Sequence, residues 1–292
     1  MRYLVSALAY GDCLITLSLI EQLRLDPVDY QILGTAITSR VSSLLHQPLP
    51  VVELMNDRAA FYAIKEYGPW KACTDFISLR QSLQRQSQSG DVLAFERSDW
   101  RTAALNPWGR RGIYPPQTHQ AYNDRQSLIR QVFGHAPDWT PVVKPRTATR
   151  AVLINPCARF GNRWLAPEII ENVIAIATKN DWALTLLDPC GRYADYRPRV
   201  ARYEHQSTLA DAAALLKASD LYIGPDSFFI HLAYYYRVPL FGFFFSHYHD
   251  FLAPGMAELG NFTDFESARN RQQLEEKLMT FLKLDTRGTH AP

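Results

Sequence analysis

Short apolar runs and amphipathic runs alternate along this chain. "RYLVSALA" is almost continuously apolar and predicts a buried strand. "CLITLSLIEQLR" repeats its apolar residues at three- and four-residue spacing and predicts a helix. "DYQILGT", "LPVVEL" and "DVLAF" predict further strands, the last after a long polar, helix-forming segment rich in Gln, Ser and Arg. "YNDRQSLIRQVFG" is an amphipathic helix that stops at Gly134. "HAPDWTPVVKPRTATR", with Pro137, Pro141 and Pro145, then reads as a connection. After it the alternation restarts. "AVLINP", "WALTLLDP", "DLYIG" and "VPLFGFFF" predict strands. "APEIIENVIAIATKN", with Pro167 in its first turn, "TLADAAALLKAS", "SFFIHLAYYYR" and "ESARNRQQLEEKLMTFLKL" predict helices.

Alternation in two halves predicts an α/β protein of two doubly wound domains with mainly parallel sheets. The expected division is an N-terminal domain over 1–140, a linker over 141–150 and a C-terminal domain over 151–263. A helix and tail over 264–292 follow, with the N-terminal domain as one docking place for the helix. In such sheets ligands sit beyond the carboxyl ends of the strands, so chemistry is to be sought there.

Composition narrows the choice. A chain of 292 residues, 47% hydrophobic and 21% charged, is that of an ordinary globular protein, and a net charge of +2 gives no reason to expect nucleic acid. The apolar N-terminus is broken by Gly11 and Asp12, and no run reaches the roughly 18 residues of a membrane span. Cys13, Cys73, Cys157 and Cys190 are widely spaced without metal-ligand rhythm, which predicts reduced thiols in a cytoplasmic protein.

Three strand ends carry candidate chemistry. In "YIGPDSFFIH", Gly224 and Pro225 turn the chain and Asp226 stands where it can cap the next helix. Amides from Ser227, Phe228 and Phe229 would face an anion such as a diphosphate. Ser227 and His231, four apart, share a helix face. The plainer reading is an ordinary cap and a satisfied histidine. In "AYGDCLI", Gly11 allows a tight turn and Asp12 is either a general base for a hydroxyl or another cap. In "INPCARFGNRWLAPE", Asn155 ends a strand and Arg159 and Arg163 follow, as a phosphate clamp or as solvated loop residues.

Taken in order, these blocks resemble glycosyltransferase family 9, the lipopolysaccharide heptosyltransferases, over roughly residues 1–255. The resemblance lies in "YLVSALAYGDCLITLSLIEQLR", "INPCARFGNRWLAPE", "LADAAALLKASD" and "IGPDSFFIHLAYYYRVPLFGFF". It implies a GT-B architecture, two Rossmann-like domains facing an interdomain cleft. It further implies an inverting, metal-independent transfer with no cofactor beyond the nucleotide diphosphate sugar, ADP-heptose being the family's familiar donor. Asp12 would be the base, and Asn155, Arg159, Arg163, Asp226, Ser227, Phe228 and His231 the donor side. Phe228 stands where the family carries glycine, and Asn162 where it carries lysine before Arg-Trp.

Elsewhere, "RSDWRTAALNPWGRRGIYPP" mixes Arg101, Arg110 and Arg111 with Trp100, Trp108 and Tyr114. Aromatic faces with guanidinium groups suit an anionic glycan, glycolipid or protein acceptor, with at most peripheral contact at the inner membrane face. An irregular surface loop is the alternative. "FSHYHDF" brings His247, His249 and Asp250 together, too weak a motif to predict a metal. A nucleotide-sugar epimerase or hydrolase, or a non-catalytic binding module, are the competing functions.

Overall fold

The computed structural model describes residues 1–56, 64–118, 120–145, 149–159, 161–245 and 250–282. The chain divides into two units, Met1–Asp138 and Trp139–Pro292. Residues 139–140, expected to close the N-terminal domain, and 141–145, expected as linker, belong to the second unit. There the Tyr234 hydroxyl donates to Thr140 O (2.6 Å), Arg237 to Pro141 O (2.7 Å), and Val142 N to Pro254 O (2.9 Å).

Unit 1 holds β1 (Arg2–Ser6), α1 (Tyr10–Leu23), β2 (Tyr30–Thr35), α2 (Ala36–Ser42), β3 (Val51–Met55), α3 (Ile64–Gln86), β4 (Val92–Phe95), α4 (Trp100–Leu105), β5 (Arg111–Ile113) and α5 (Ala121–Phe133). Its five strands are all parallel, in the order β3-β2-β1-β4-β5. Leu4, Val5, Leu33, Leu93 and Phe95 are buried in central strands, as expected where helices cover both faces. Gly134, at φ 85°, ends α5 in the left-handed conformation that glycine adopts without steric cost.

Unit 2 holds β6 (Ala151–Ile154), α6 (Pro167–Lys179), β7 (Ala183–Leu187), β8 (Arg202–Glu204), α7 (Leu209–Lys217), β9 (Leu221–Pro225), α8 (Phe228–Tyr235), β10 (Leu240–Phe244), α9 (Met256–Leu259), β11 (Phe262–Asp264) and α10 (Arg271–Leu282). Its parallel sheet runs β8-β7-β6-β9-β10-β11. Its first five strands thus repeat the winding of unit 1. β9 and β10 are buried at every position, which explains the apolar runs that bracket Gly224 to His231. The N-terminal domain was one expected docking place for α10. Instead Leu274, Leu278 and Phe281 fill the core of unit 2 beside Phe241.

Among the described residues no helix is long and apolar enough to cross a membrane. His247 and His249, weighed as metal ligands, and the tail over 283–292 lie outside the described residues.

Candidate functional site

In a doubly wound sheet the ligand end is the point where strand order reverses. In unit 1 that point lies between β1 and β4. α1 begins there with Ala9 as its cap residue and no side-chain cap bond. Asp12 is therefore not the cap; it stands in the first helical turn, where the positive end of the helix favours a carboxylate. Gly11 is the second residue of α1 and makes no left-handed turn. The Arg125 Nη2 donates to Asp12 Oδ1 at 3.2 Å, with the arginine side chain 8% exposed and the aspartate 25%. Arg125 comes from the buried stripe of α5, with Tyr122, Leu128, Ile129 and Val132.

Glu96, directly after β4, completes this group and is 2% exposed. Ser6 Oγ donates to its Oε1 at 3.0 Å. Its Oε2 and the Arg125 Nε are buried without a hydrogen bond. Burial pushes the Glu96 carboxyl up to about 7, against the opposing pull of Arg125. Neither Glu96 nor Arg125 stood out in the sequence. The signals were there: a carboxylate closing "DVLAFE", and an arginine three residues after Tyr122 on the apolar face of a helix.

In unit 2 the reversal falls between β6 and β9. Asp226 N still donates to Phe243 O (2.9 Å), so Asp226 continues the ladder of β9, and the cap of α8 is Ser227. This corrects the expected cap by one residue. The Asp226 carboxylate, 7% exposed, instead receives Arg163 Nη1 at 2.7 Å. No side-chain bond caps α8, and Ser227 Oγ is buried without a hydrogen bond. Beside it lies the Tyr222 hydroxyl, whose ionisation is opposed by burial. Gly224 leaves room for that ring: a Cβ there would lie 2.2 Å from the Tyr222 oxygen and 3.0 Å from Asn155 O.

The other expected donor residues are placed as follows. Asn155 is buried and its Oδ1 accepts from Cys157 N (2.9 Å), shaping the turn after β6. Arg159 is exposed in that loop, and Asn162 is exposed in a short 3-10 turn over Gly161–Arg163. Phe228 meets Phe229 edge-on at 5.5 Å. His231 is 5% exposed, with its ring against Phe251 at 6.2 Å.

On the acceptor candidates, Arg111 is exposed and Arg101 lies 5.6 Å from the Trp100 ring. Arg110 donates to Trp108 O, Gln84 O, Ser87 O and Ser87 Oγ, so its guanidinium ties the loop before β5 to the end of α3. Trp100 and Trp108 are 76% and 87% exposed.

The expectation of four reduced thiols is corrected at one pair. Cys157 and Cys190 form a disulfide, with Cα atoms 6.9 Å apart. β6 and β7 are parallel neighbours, so the loops after them emerge side by side although 33 residues separate the cysteines. Buried Asp188 fixes the second loop by accepting from Tyr193 N (2.7 Å), Arg192 N (3.2 Å) and the Tyr203 hydroxyl (2.8 Å). Cys157, Asp188 and Cys190 have ligand-type atoms within 4.8 Å of one another, but sulfurs joined to each other offer no thiolate to a metal.

Two parallel doubly wound units in one chain, each with charged residues where its strand order reverses, are the building blocks of the GT-B fold. Solved structures agree across nearly the whole chain. An E. coli heptosyltransferase WaaC with ADP-2-deoxy-2-fluoro heptose matches with a TM-score of 0.65 at 13% identity, over 97% of this chain and 99% of that one. A glycosyl transferase family 9 protein from Veillonella parvula matches with 0.60 at 11%, over 94% and 89%. The E. coli ADP-heptose lps heptosyltransferase II matches with 0.57 at 14%, over 97% and 98%. These likenesses establish the fold. No protein-family model and no curated protein sequence matches the chain.

Proposed function

We propose that this protein is an inverting glycosyltransferase that moves a sugar from a nucleotide diphosphate to a glycan or glycolipid acceptor without a metal or other cofactor. The observation that carries the reading is the start of α8, an uncapped helix end with the Arg163–Asp226 pair and the buried Ser227 hydroxyl beside it. Helix-end amides and an arginine meet the charge that develops on a departing diphosphate. Asp12 supplies the base. The acceptor hydroxyl gives its proton to that carboxylate while its oxygen bonds to the anomeric carbon, and the bond from that carbon to the diphosphate oxygen breaks. Exposed Trp100 and Trp108 with Arg101 and Arg111 suit an anionic acceptor or the peripheral membrane contact a glycolipid requires.

The fold shared with proteins whose structures contain ADP and an ADP-heptose analogue makes ADP-heptose the first donor to test. A thermal-shift panel of nucleotide sugars identifies the donor, because a ligand stabilises the form it binds. Asp12→Ala should then keep donor binding and lose turnover. Full turnover in that variant would overturn the mechanism, and no binding across the panel would overturn the activity.

A further inference from the structure

Behind Asp12 stand two charged side chains that simple proton acceptance does not require. Arg125 Nη2 is held by Asp12 Oδ1 at 3.2 Å, and Glu96 Oε1 by the Ser6 hydroxyl at 3.0 Å. Two atoms remain without a hydrogen bond, the donor Arg125 Nε–H and the acceptor Glu96 Oε2. Both side chains are more than nine-tenths buried. Leaving a buried donor and a buried acceptor both unmade is costly, and in one cluster the two are complementary.

The groups that face Glu96 are Ser6 from β1, Asp12, Cys13 and Thr16 from α1, and Arg125 from α5. Arg125 is the one cation in that set; the Thr16 hydroxyl, which donates to the Asp12 carbonyl at 3.2 Å, also faces Glu96 and favours its ionised form. One guanidinium thus pairs with Asp12 while its charge also acts on Glu96, to which it makes no ion pair in this structure. A neutral Glu96 leaves it to Asp12; an ionised Glu96 competes for it.

We propose that Glu96 is a positioning residue for Asp12, acting through Arg125: on ionisation Glu96 Oε2 takes the Arg125 Nε–H and loosens the guanidinium from Asp12, freeing that carboxylate to meet the acceptor. This role in catalysis rests on Asp12 being the base. The shift of Arg125 between two carboxylates does not, and it can be read without substrate.

The test is the side-chain Nε–H signal of Arg125 in the full chain labelled with 15N-arginine, assigned by Arg125→Lys and followed from pH 5.5 to 8.5. The signal should move with a midpoint near 7, and its exchange with water should slow about fivefold above the midpoint, the factor for one net hydrogen bond. Glu96→Gln should abolish both changes while retaining the fold, and Glu96→Asp should restore a pH response. A signal that stays still across the range, or moves equally in Glu96→Gln, would overturn the proposal. ADP and ADP-heptose binding to the same sample is measured alongside. Binding with a still Arg125 signal removes this inference alone, whereas a moving signal without binding removes the transferase reading, and with it the catalytic role of Glu96, and leaves the shift of Arg125 standing.

Discussion

Glu96→Gln also separates burial from charge in a measurement of stability. In the folded protein the Glu96 carboxyl is pushed up to about 7, while in an unfolded chain it ionises near its ordinary 4.5. Between these values the folded form holds a proton that the unfolded form has released, so stability falls as pH rises through the window and levels off above it. At roughly 1.4 kcal/mol for each tenfold change in proton affinity, the loss is about 3 kcal/mol. Glutamine keeps the side-chain length and an oxygen for the Ser6 hydroxyl but cannot ionise. The stability of Glu96→Gln relative to the parent should therefore climb by about 3 kcal/mol between pH 4.5 and 8, with no change below 4. Native-state hydrogen exchange of the buried amides of β1 reads this in unit 1 itself. A difference that stays flat, or falls with pH, would show that Glu96 is solvated or firmly paired and would refute the reasoning.

Other consequences follow from the same contacts. Asp12→Asn should lower turnover by about two to four orders of magnitude with donor affinity unchanged, as calorimetry with the identified nucleotide sugar would show. Arg163→Met should weaken binding of the nucleotide diphosphate by about tenfold through loss of a charge-assisted contact, read in the same calorimeter. Reduction of the Cys157–Cys190 disulfide, or its double replacement by serine, should cost about 3–4 kcal/mol of unfolding free energy for a loop of this length, measured in urea with and without dithiothreitol. Gly224→Ala should cost about 1–3 kcal/mol by forcing the Tyr222 ring from its place, visible as a lower melting temperature.

Most of the architecture was legible because a parallel sheet writes itself into sequence as buried apolar runs between amphipathic helices. β1, β4, β6, β9 and β10 were read this way, and with them the strand ends that carry Asp12, Asn155 and Asp226. The short strands β5, β8 and β11 were not, since three residues at or near a sheet edge are too few to show a period. What was hidden in the site is what depends on distance along the chain. Glu96 lies 90 residues from Ser6 and Arg125 lies 113 from Asp12. The Cys157–Cys190 pair is concealed by the helix α6 and the strand β7 that lie between the two cysteines. The cap of α8 was misplaced by one residue because Asp226 suits a cap chemically, and only the backbone bond to Phe243 shows that the strand has not yet ended.

The repeated winding has a practical use. Both halves change direction between their first and fourth strands, so mutagenesis aimed at altered specificity can start from four short stretches at those strand ends, 7–13, 96–101, 155–163 and 226–231. A library restricted to these leaves the scaffold strands intact, and its two halves can be randomised separately and recombined.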